Sequence, residues 1–287
     1  MTKVKSLQYR PNTVKALLSF HAMGWVSLAI GIIIIFPILY CFMTSFMSYS
    51  EMTTYPPKLL PASFLNVTNY FEVIQKTLIS RYMFNSLVMA TCGTLLRLLT
   101  SSMAAFSFSF FEYRGRNALF FILLGTMMIP GDAVIIANYI SVSRLKLMDT
   151  YFGLFCVYGL SATNVFMMRQ YMRTLPRALR DAALIDGCSN LRFFIWIVLP
   201  LASPVLFTVG VSSFVNLWNA YIWPLLITNK QEMRVVQVGV TMLNTDETVN
   251  YGPVMAAVSI ILVPSILIFL LFQRRIVRGI VAGSLKE

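Results

Sequence analysis

Long stretches of this chain carry no charged side chain, and nothing else in the sequence restricts its fold as strongly. The charge-free runs are residues 16–50, 82–96, 98–111, 117–131, 133–143, 150–168, 193–229 and 248–273. A charge in hydrocarbon costs several kcal/mol, so runs of this kind mark segments that a bilayer accepts. A spanning helix needs about 20 apolar residues. Joining runs that a single charge divides gives six helices, at about 24–46, 82–111, 118–141, 151–168, 201–224 and 251–273. Composition agrees: 57% of residues are hydrophobic and 12% charged. A soluble domain carries roughly 25% charged residues, so a soluble enzyme, a disordered chain and a secreted disulfide scaffold are excluded. The expected fold class is an all-α membrane protein, with residues 1–287 forming one membrane domain.

The net charge of +12 would suggest a nucleic-acid partner in a soluble protein. Here its distribution records topology instead. The N-terminus, the 112–117 and 169–200 loops and the C-terminus hold 15 Lys and Arg; the segments 48–81, 142–150 and 225–250 hold 7. Cytoplasmic loops collect basic residues, so both termini are expected in the cytoplasm. The first run is longer than the roughly 7–15 residues of a signal-peptide core and no A-x-A-like site follows, so it reads as an uncleaved first helix. Cys41, Cys92, Cys156 and Cys188 have no metal-ligand spacing, and His21 is the single histidine, so neither a disulfide nor a metal site is expected.

The 169–200 loop carries the densest information. Thr174 can cap a helix whose first turn tolerates Pro176. Leu175, Leu179, Ala182 and Ala183 fall on one face at helical spacing. Gly187 can adopt the left-handed conformation that stops a helix. Ser189 or Asn190 can then cap a second apolar helix with Phe193, Phe194, Ile197 and Val198, and Pro200 breaks the chain before the fifth span. The same pattern suits an amphipathic helix lying among lipid head groups.

The residues themselves carry a further signal. Asp181-Ala182-Ala183-x-x-Asp186-Gly187, nine residues, then Ile197-x-Leu199-Pro200 resembles the E-A-A-x-x-D-G…I-x-L-P loop of binding-protein-dependent ABC importer permeases. Asp181 stands where that family has Glu, keeping the charge with one methylene less reach. Phe166–Tyr171, Trp218–Leu225 and the tail Gln273–Gly283 are similar to further stretches of the carbohydrate-uptake group of that family.

The resemblance implies a type I importer permease with six spans and a cytoplasmic coupling helix in the bacterial plasma membrane. Its implied partners are a second permease subunit, an ABC ATPase dimer and an extracytoplasmic substrate-binding protein. It implies ATPase contact through Asp181, Ala182, Ala183, Asp186 and Gly187, and a weaker contact through the tail after Gln273. ATP and Mg would bind the partner ATPase; this chain has no phosphate-loop motif and no cofactor is expected in it. The implied cargo is a sugar or oligosaccharide, with glycerol-3-phosphate or a glycerophosphodiester as the alternative. A secondary transporter is a more distant alternative, since Pro130-Gly131 has no matching break in a second half. A membrane enzyme would need more convergent acids and bases than these spans contain.

Arg97 and Asp132 are the charges inside the expected spans, each 14 residues from a cytoplasmic helix end. At 1.5 Å per residue both lie about 21 Å deep, which predicts an ion pair that staples two helices or lines a polar pathway. Trp218, Asn219, Tyr221 and Trp223 are further pathway candidates, because sugars stack on aromatic rings and Asn serves hydroxyls both ways. Aromatic residues at a span's end also mark the membrane interface, and that reading is the favoured one here.

Overall fold

The computed structural model describes the backbone of residues 13–242 and 251–284. Its α-helices are α1 Thr13–Thr44, α2 Tyr49–Met52, α3 Thr68–Lys76, α4 Ile79–Phe110, α5 Arg116–Gly125, α6 Ile135–Arg144, α7 Tyr151–Phe155, α8 Ala162–Met172, α9 Ala178–Ile185, α10 Asn190–Phe193, α11 Leu199–Leu201, α12 Ser203–Trp218, α13 Ile222–Ile227, α14 Val236–Thr241 and α15 Tyr251–Ser284. No strand occurs among the described residues. Two compact units emerge, Met1–Phe71 with Asn250–Ser259, and Glu72–Val249 with Ile260–Glu287.

In the first unit, Gly24–Thr44 of α1 is an uncharged apolar helix whose most apolar 18-residue window has no buried residue. Such an all-round apolar surface suits lipid or a neighbouring helix. Where α1 ends, polar side chains take over the backbone. Asn69 donates through Nδ2 to the carbonyls of Ser45 and Met47, both at 2.9 Å. The Ser45 and Tyr70 hydroxyls lie 2.6 Å apart. The Glu51 carboxylate accepts from the Ser48 N–H and the Ala62 N–H, each at 2.8 Å. The proline-rich segment after α1 is thereby an ordered loop.

The second unit is built on α4. This helix packs chiefly against α12 and α8. Gly93 makes the α12 contact possible, because a side chain there would occupy the space of Leu217. One apolar core gathers Phe106, Phe110, Met168, Met172, Phe193, Phe194 and Val198. A second gathers Met89, Val142, Leu154, Trp223, Ile227 and Val238.

Three helices are each long and apolar enough to cross a membrane: Gly24–Thr44, Ile79–Phe110 and Tyr251–Ile268. Three further candidates are bent pairs, Arg116–Met128 with Gly131–Arg144 (95°), Tyr151–Tyr158 with Ala162–Met172 (56°) and Asn190–Leu201 with Ser203–Trp218 (78°). The sequence expectation of continuous helices at 118–141, 151–168 and 201–224 is therefore corrected. Pro130 explains the first break, since it disfavours helix at Ile129, which is extended (φ −85°, ψ 117°). Pro204 explains the third, because it has no N–H for the Pro200 carbonyl. The break at Ala202 leaves Pro200 inside α11, and α12 stops at Trp218, short of 224.

Candidate functional site

The 169–200 loop folds as a short helix mounted on the apolar core. Thr174 does not cap α9 as expected; its hydroxyl donates to the Tyr171 carbonyl at 2.8 Å and closes α8 instead. At the other end the stop is entirely local. Gly187 has φ 69°, the Cys188 N–H reaches the Ala183 carbonyl at 2.8 Å and the Gly187 N–H reaches that of Leu184 at 3.1 Å. These two bonds satisfy carbonyls that a helix end otherwise leaves open. Ser189 then caps α10, its hydroxyl accepting from the Arg192 N–H at 3.4 Å. Residues Phe194–Val198 form a π-helical turn, with the Leu199 N–H bonded to the Phe194 carbonyl. Pro200 accounts for this widening, because its ring excludes an ordinary turn closed on Trp196.

The loop has an inner and an outer face. Ala183 is 6% exposed and packs into the core with Leu175 and Cys188 alongside. Asp181, Ala182, Ile185, Asp186 and Gly187 are exposed, Ile185 to 86%. The expected grouping of Ala182 and Ala183 on one face therefore fails. Ala183 belongs to the chain's own packing, and its missing bulk lets α9 sit close to the phenylalanines. Two basic side chains tether the α9 region to the end of α4 and the loop that follows it. The Arg180 guanidinium lies 5.3 Å from the Phe111 ring centroid. Arg177 Nη1 is 3.9 Å from Glu112 Oε1, with both side chains exposed, so that pair contributes at most about 1 kcal/mol.

The expected ion pair between Arg97 and Asp132 is absent. The described ion pairs are Lys76–Glu72 and Arg177–Glu112. The depth count assumed a straight third span, and the chain turns by 95° at Pro130. Arg97, 9% exposed, donates through Nε to the Tyr158 carbonyl at 2.8 Å and lies 5.7 Å from the Tyr158 ring centroid. The Thr100 hydroxyl donates to the neighbouring Gly159 carbonyl. Both side chains thus serve the open end of a half-helix inside the fourth segment, a favourable place for a cation. Asp132 is exposed in the turn Gly131–Val134 beyond the bend.

The aromatic candidates divide. Trp218 is 3% exposed and stacks on Phe214 at 6.1 Å, and its buried indole Nε1 has no hydrogen-bond partner. Trp223 is also buried and donates to the Gly153 carbonyl at 3.2 Å. These tryptophans pack inside the unit, so the interface reading does not apply to them. Asn219 and Tyr221 are exposed just after α12, where Gln237 Nε2 lies 3.4 Å from Asn219 Oδ1. The side chains after Gln273 lie outside the described residues.

Sequence reasoning missed two polar clamps. Asn85, fully buried, donates to the carbonyls of Glu232 and Arg234 at 2.7 and 2.9 Å and accepts from the Tyr151 hydroxyl at 2.9 Å. Asp149 accepts from the N–H groups of Asn229 and Lys230 at 2.7 and 2.9 Å. An asparagine inside a charge-free run was the available signal for the first. Nothing local marks the second, whose partners lie about 80 residues away in sequence.

Comparison with known proteins places this architecture. Residues 97–282 match the family described as binding-protein-dependent transport system inner membrane component. The chain is 36% identical over 262 residues to the sn-glycerol-3-phosphate transport system permease protein UgpE of Escherichia coli O1:K1 / APEC, covering 88% of this chain and 93% of that one. It is 34% identical to the protein of the same name from Rhizobium meliloti (strain 1021), covering 91% and 96%. A putative ABC transporter permease from Caldicellulosiruptor sp. (strain Rt8B.4) is 31% identical, covering 87% and 91%. A chain of a bacterial ABC transporter that imports the acidic polysaccharide alginate has the same fold, with a TM-score of 0.81 at 22% identity over 95% of this chain and 99% of that one. With a helical membrane architecture, a matched family pattern and full-length relatives in agreement, the chain belongs to the family of binding-protein-dependent transport system inner membrane components, the permeases of ABC importers.

Proposed function

We propose that this chain is one of two permease subunits in an ATP-driven importer of the bacterial plasma membrane, a single domain over residues 1–287 with six spans and both termini in the cytoplasm. Each bent pair counts as one span in this reading. Its partners are a second permease, an ABC ATPase dimer and an extracytoplasmic binding protein. It catalyses no bond chemistry, and ATP and Mg belong to the ATPase.

The observation that carries this reading is α9: a short helix with a buried base and an exposed crest of Asp181, Ala182, Ile185 and Asp186. The crest offers an apolar contact flanked by carboxylates, and the stop at Gly187 fixes its length. When ATP closes the ATPase dimer, a force on α9 passes to Phe106, Phe110 and Phe193 through Ala183. Packed side chains transmit such a displacement because interiors compress little. Ala183 acts from beneath, while Asp181, Ala182, Asp186 and Gly187 meet the ATPase.

The cargo in this reading is a sugar or oligosaccharide. Glycerol-3-phosphate is a second reading, favoured by the 36% identity to a permease of that name. Asp132, Asn219 and Tyr221 offer exposed hydrogen-bonding groups to the pathway, and Trp218 brings an unpaired donor. Arg97 contributes by holding the fourth segment in shape.

Co-purification with the candidate ATPase tests the docking face. Ile185→Asp with Asp186→Lys changes exposed groups alone, so the chain folds and loses the ATPase. Full ATPase recovery with this pair would reject α9 as the coupling element.

A further inference from the structure

A cavity of about 400 Å³ lies at the start of α4, built from segments far apart in sequence. Its lining takes Lys76 from the end of α3, Tyr82 from α4, Gln231 and Arg234 from the turn before α14, and Gly239 and Met242 from α14 and its edge. Lys76 and Arg234 are its charged side chains, and no carboxylate lines it among the described residues. Glu72 engages Lys76 at 2.8 Å from outside the lining. Arg234 has no such partner. Its Nη1 meets the thioether of Met242, a weak acceptor, and its buried Nε has no hydrogen-bond partner. The backbone that carries this arginine is nevertheless fixed, because buried Asn85 donates to the Arg234 carbonyl at 2.9 Å. Gly239 shapes the wall, since a Cβ there would collide with the Tyr82 ring. A half-buried guanidinium that lacks an oxygen acceptor and shares a cavity with an ammonium calls for an anion from outside the chain.

Size and the remaining polar group narrow that anion. A volume of about 400 Å³ falls in the range of small-molecule sites, roughly 300–1,000 Å³. The exposed Gln231 amide offers hydroxyls both a donor and an acceptor. We propose that this cavity binds a small phosphorylated polyol, with the phosphate held by Arg234 and Lys76 and the hydroxyls by Gln231. Arg grips a phosphate through its planar fork, and Lys serves it as a point charge. The proposal rests on the importer reading, in which residues 48–81 and 225–250 face outward. It makes the cavity an entry site for anionic cargo, separate from Asp132, Asn219 and Tyr221, and it favours glycerol-3-phosphate over a neutral sugar.

Hydrogen exchange of the full-length chain within its importer, purified with the ATPase and without the binding protein, tests this. The probes are sn-glycerol-3-phosphate, glycerol, maltose and inorganic phosphate. Glycerol-3-phosphate slows exchange across 76–82 and 231–242 in a saturable way, and glycerol and maltose do not. Arg234→Gln raises the half-saturating concentration about tenfold or more, the scale of a lost charged hydrogen bond. Lys76→Gln, at an exposed position, raises it by a smaller factor and serves as the second variant if Arg234→Gln disturbs the turn. No slowing by glycerol-3-phosphate, or half-saturation unchanged in both variants, would overturn the site. Slowing by inorganic phosphate at a lower concentration would overturn the polyol, and equal slowing by maltose would overturn the anion. Asp246 and Glu247 are the chain's own acids shortly after Met242; a response that appears only in Asp246→Asn with Glu247→Gln would assign the cavity to them instead. A sample that keeps its ATPase and shows no slowing rejects the site and leaves the importer reading standing.

Discussion

Two helix ends in this chain are closed in opposite ways. The end of α9 at Gly187 is closed by the chain's own next residues: a left-handed glycine and two backbone bonds back to Ala183 and Leu184. The end of the half-helix at Tyr158 and Gly159 is closed from another helix, by Arg97 and Thr100 of α4 about 60 residues earlier. The first closure sits among exposed residues, where water can serve any carbonyl left over. The second sits in a candidate span, where hydrocarbon offers no such substitute. Local closure therefore suffices at Gly187, whereas at Tyr158 and Gly159 the chain brings dedicated side chains to the break.

The strongest way to break this contrast is Arg97→Met. Removing the guanidinium relieves the cost of burying a charge but orphans the Tyr158 carbonyl. Losing a charged hydrogen bond and stranding its acceptor costs about 2–3 kcal/mol. We expect the net change to be destabilising, read as a lower thermal unfolding midpoint of the purified chain. A midpoint equal to or above the wild type would mean that the break closes without Arg97.

A smaller effect is expected at the local closure. Gly187→Ala adds a methyl group with no heavy atom within 4 Å, so the change acts through the backbone alone. Holding a residue with a Cβ in the left-handed region costs roughly 1–2 kcal/mol. That cost falls on α9 and leaves the unfolding midpoint nearly unchanged, while faster hydrogen exchange appears across 178–188. Gly187→Asn recovers most of the protection, because Asn tolerates this conformation. Equal loss in the Ala and Asn variants would show that Gly187 acts by size and not by conformation.

The same contrast explains what the sequence disclosed. The stop at Gly187, a cap at Ser189 or Asn190 and the long helix of α4 were legible because each depends on neighbouring residues or on a long apolar run. The expected boundary of 82–111 for α4 differs from Ile79–Phe110 by three residues or fewer at either end. The break at Gly159 was not legible, since no proline marks it and its partners lie in α4. Counting depth along unbroken helices then misled the pairing of Arg97 with Asp132. The coupling-loop motif located the candidate site but not its faces: Ala182 and Ala183 are adjacent in sequence and opposite in exposure. Only the packing of α9 on the phenylalanine core separates them.

Glu51 stands between the two kinds of closure and gives the mildest expected effect. Its carboxylate binds the Ser48 N–H three residues back and the Ala62 N–H eleven residues on, so a side chain performs a nearly local closure at an exposed site. The Ser48 backbone bond, followed by the Ala62 bond and the Ser48 hydroxyl, holds this carboxyl below its usual range. A carboxyl depressed in the folded state stabilises it fully above its unfolded value, about pH 4.3, and loses that contribution as pH falls through the folded value. Hydrogen exchange across 48–62, corrected for intrinsic rate, should therefore stay constant from pH 7 down to about pH 5 and accelerate below about pH 4. Glu51→Gln removes the titration, so its corrected exchange is uniform with pH. Acceleration of equal size in Glu51→Gln would assign the acid response to another group and leave Glu51 as one surface carboxylate among several.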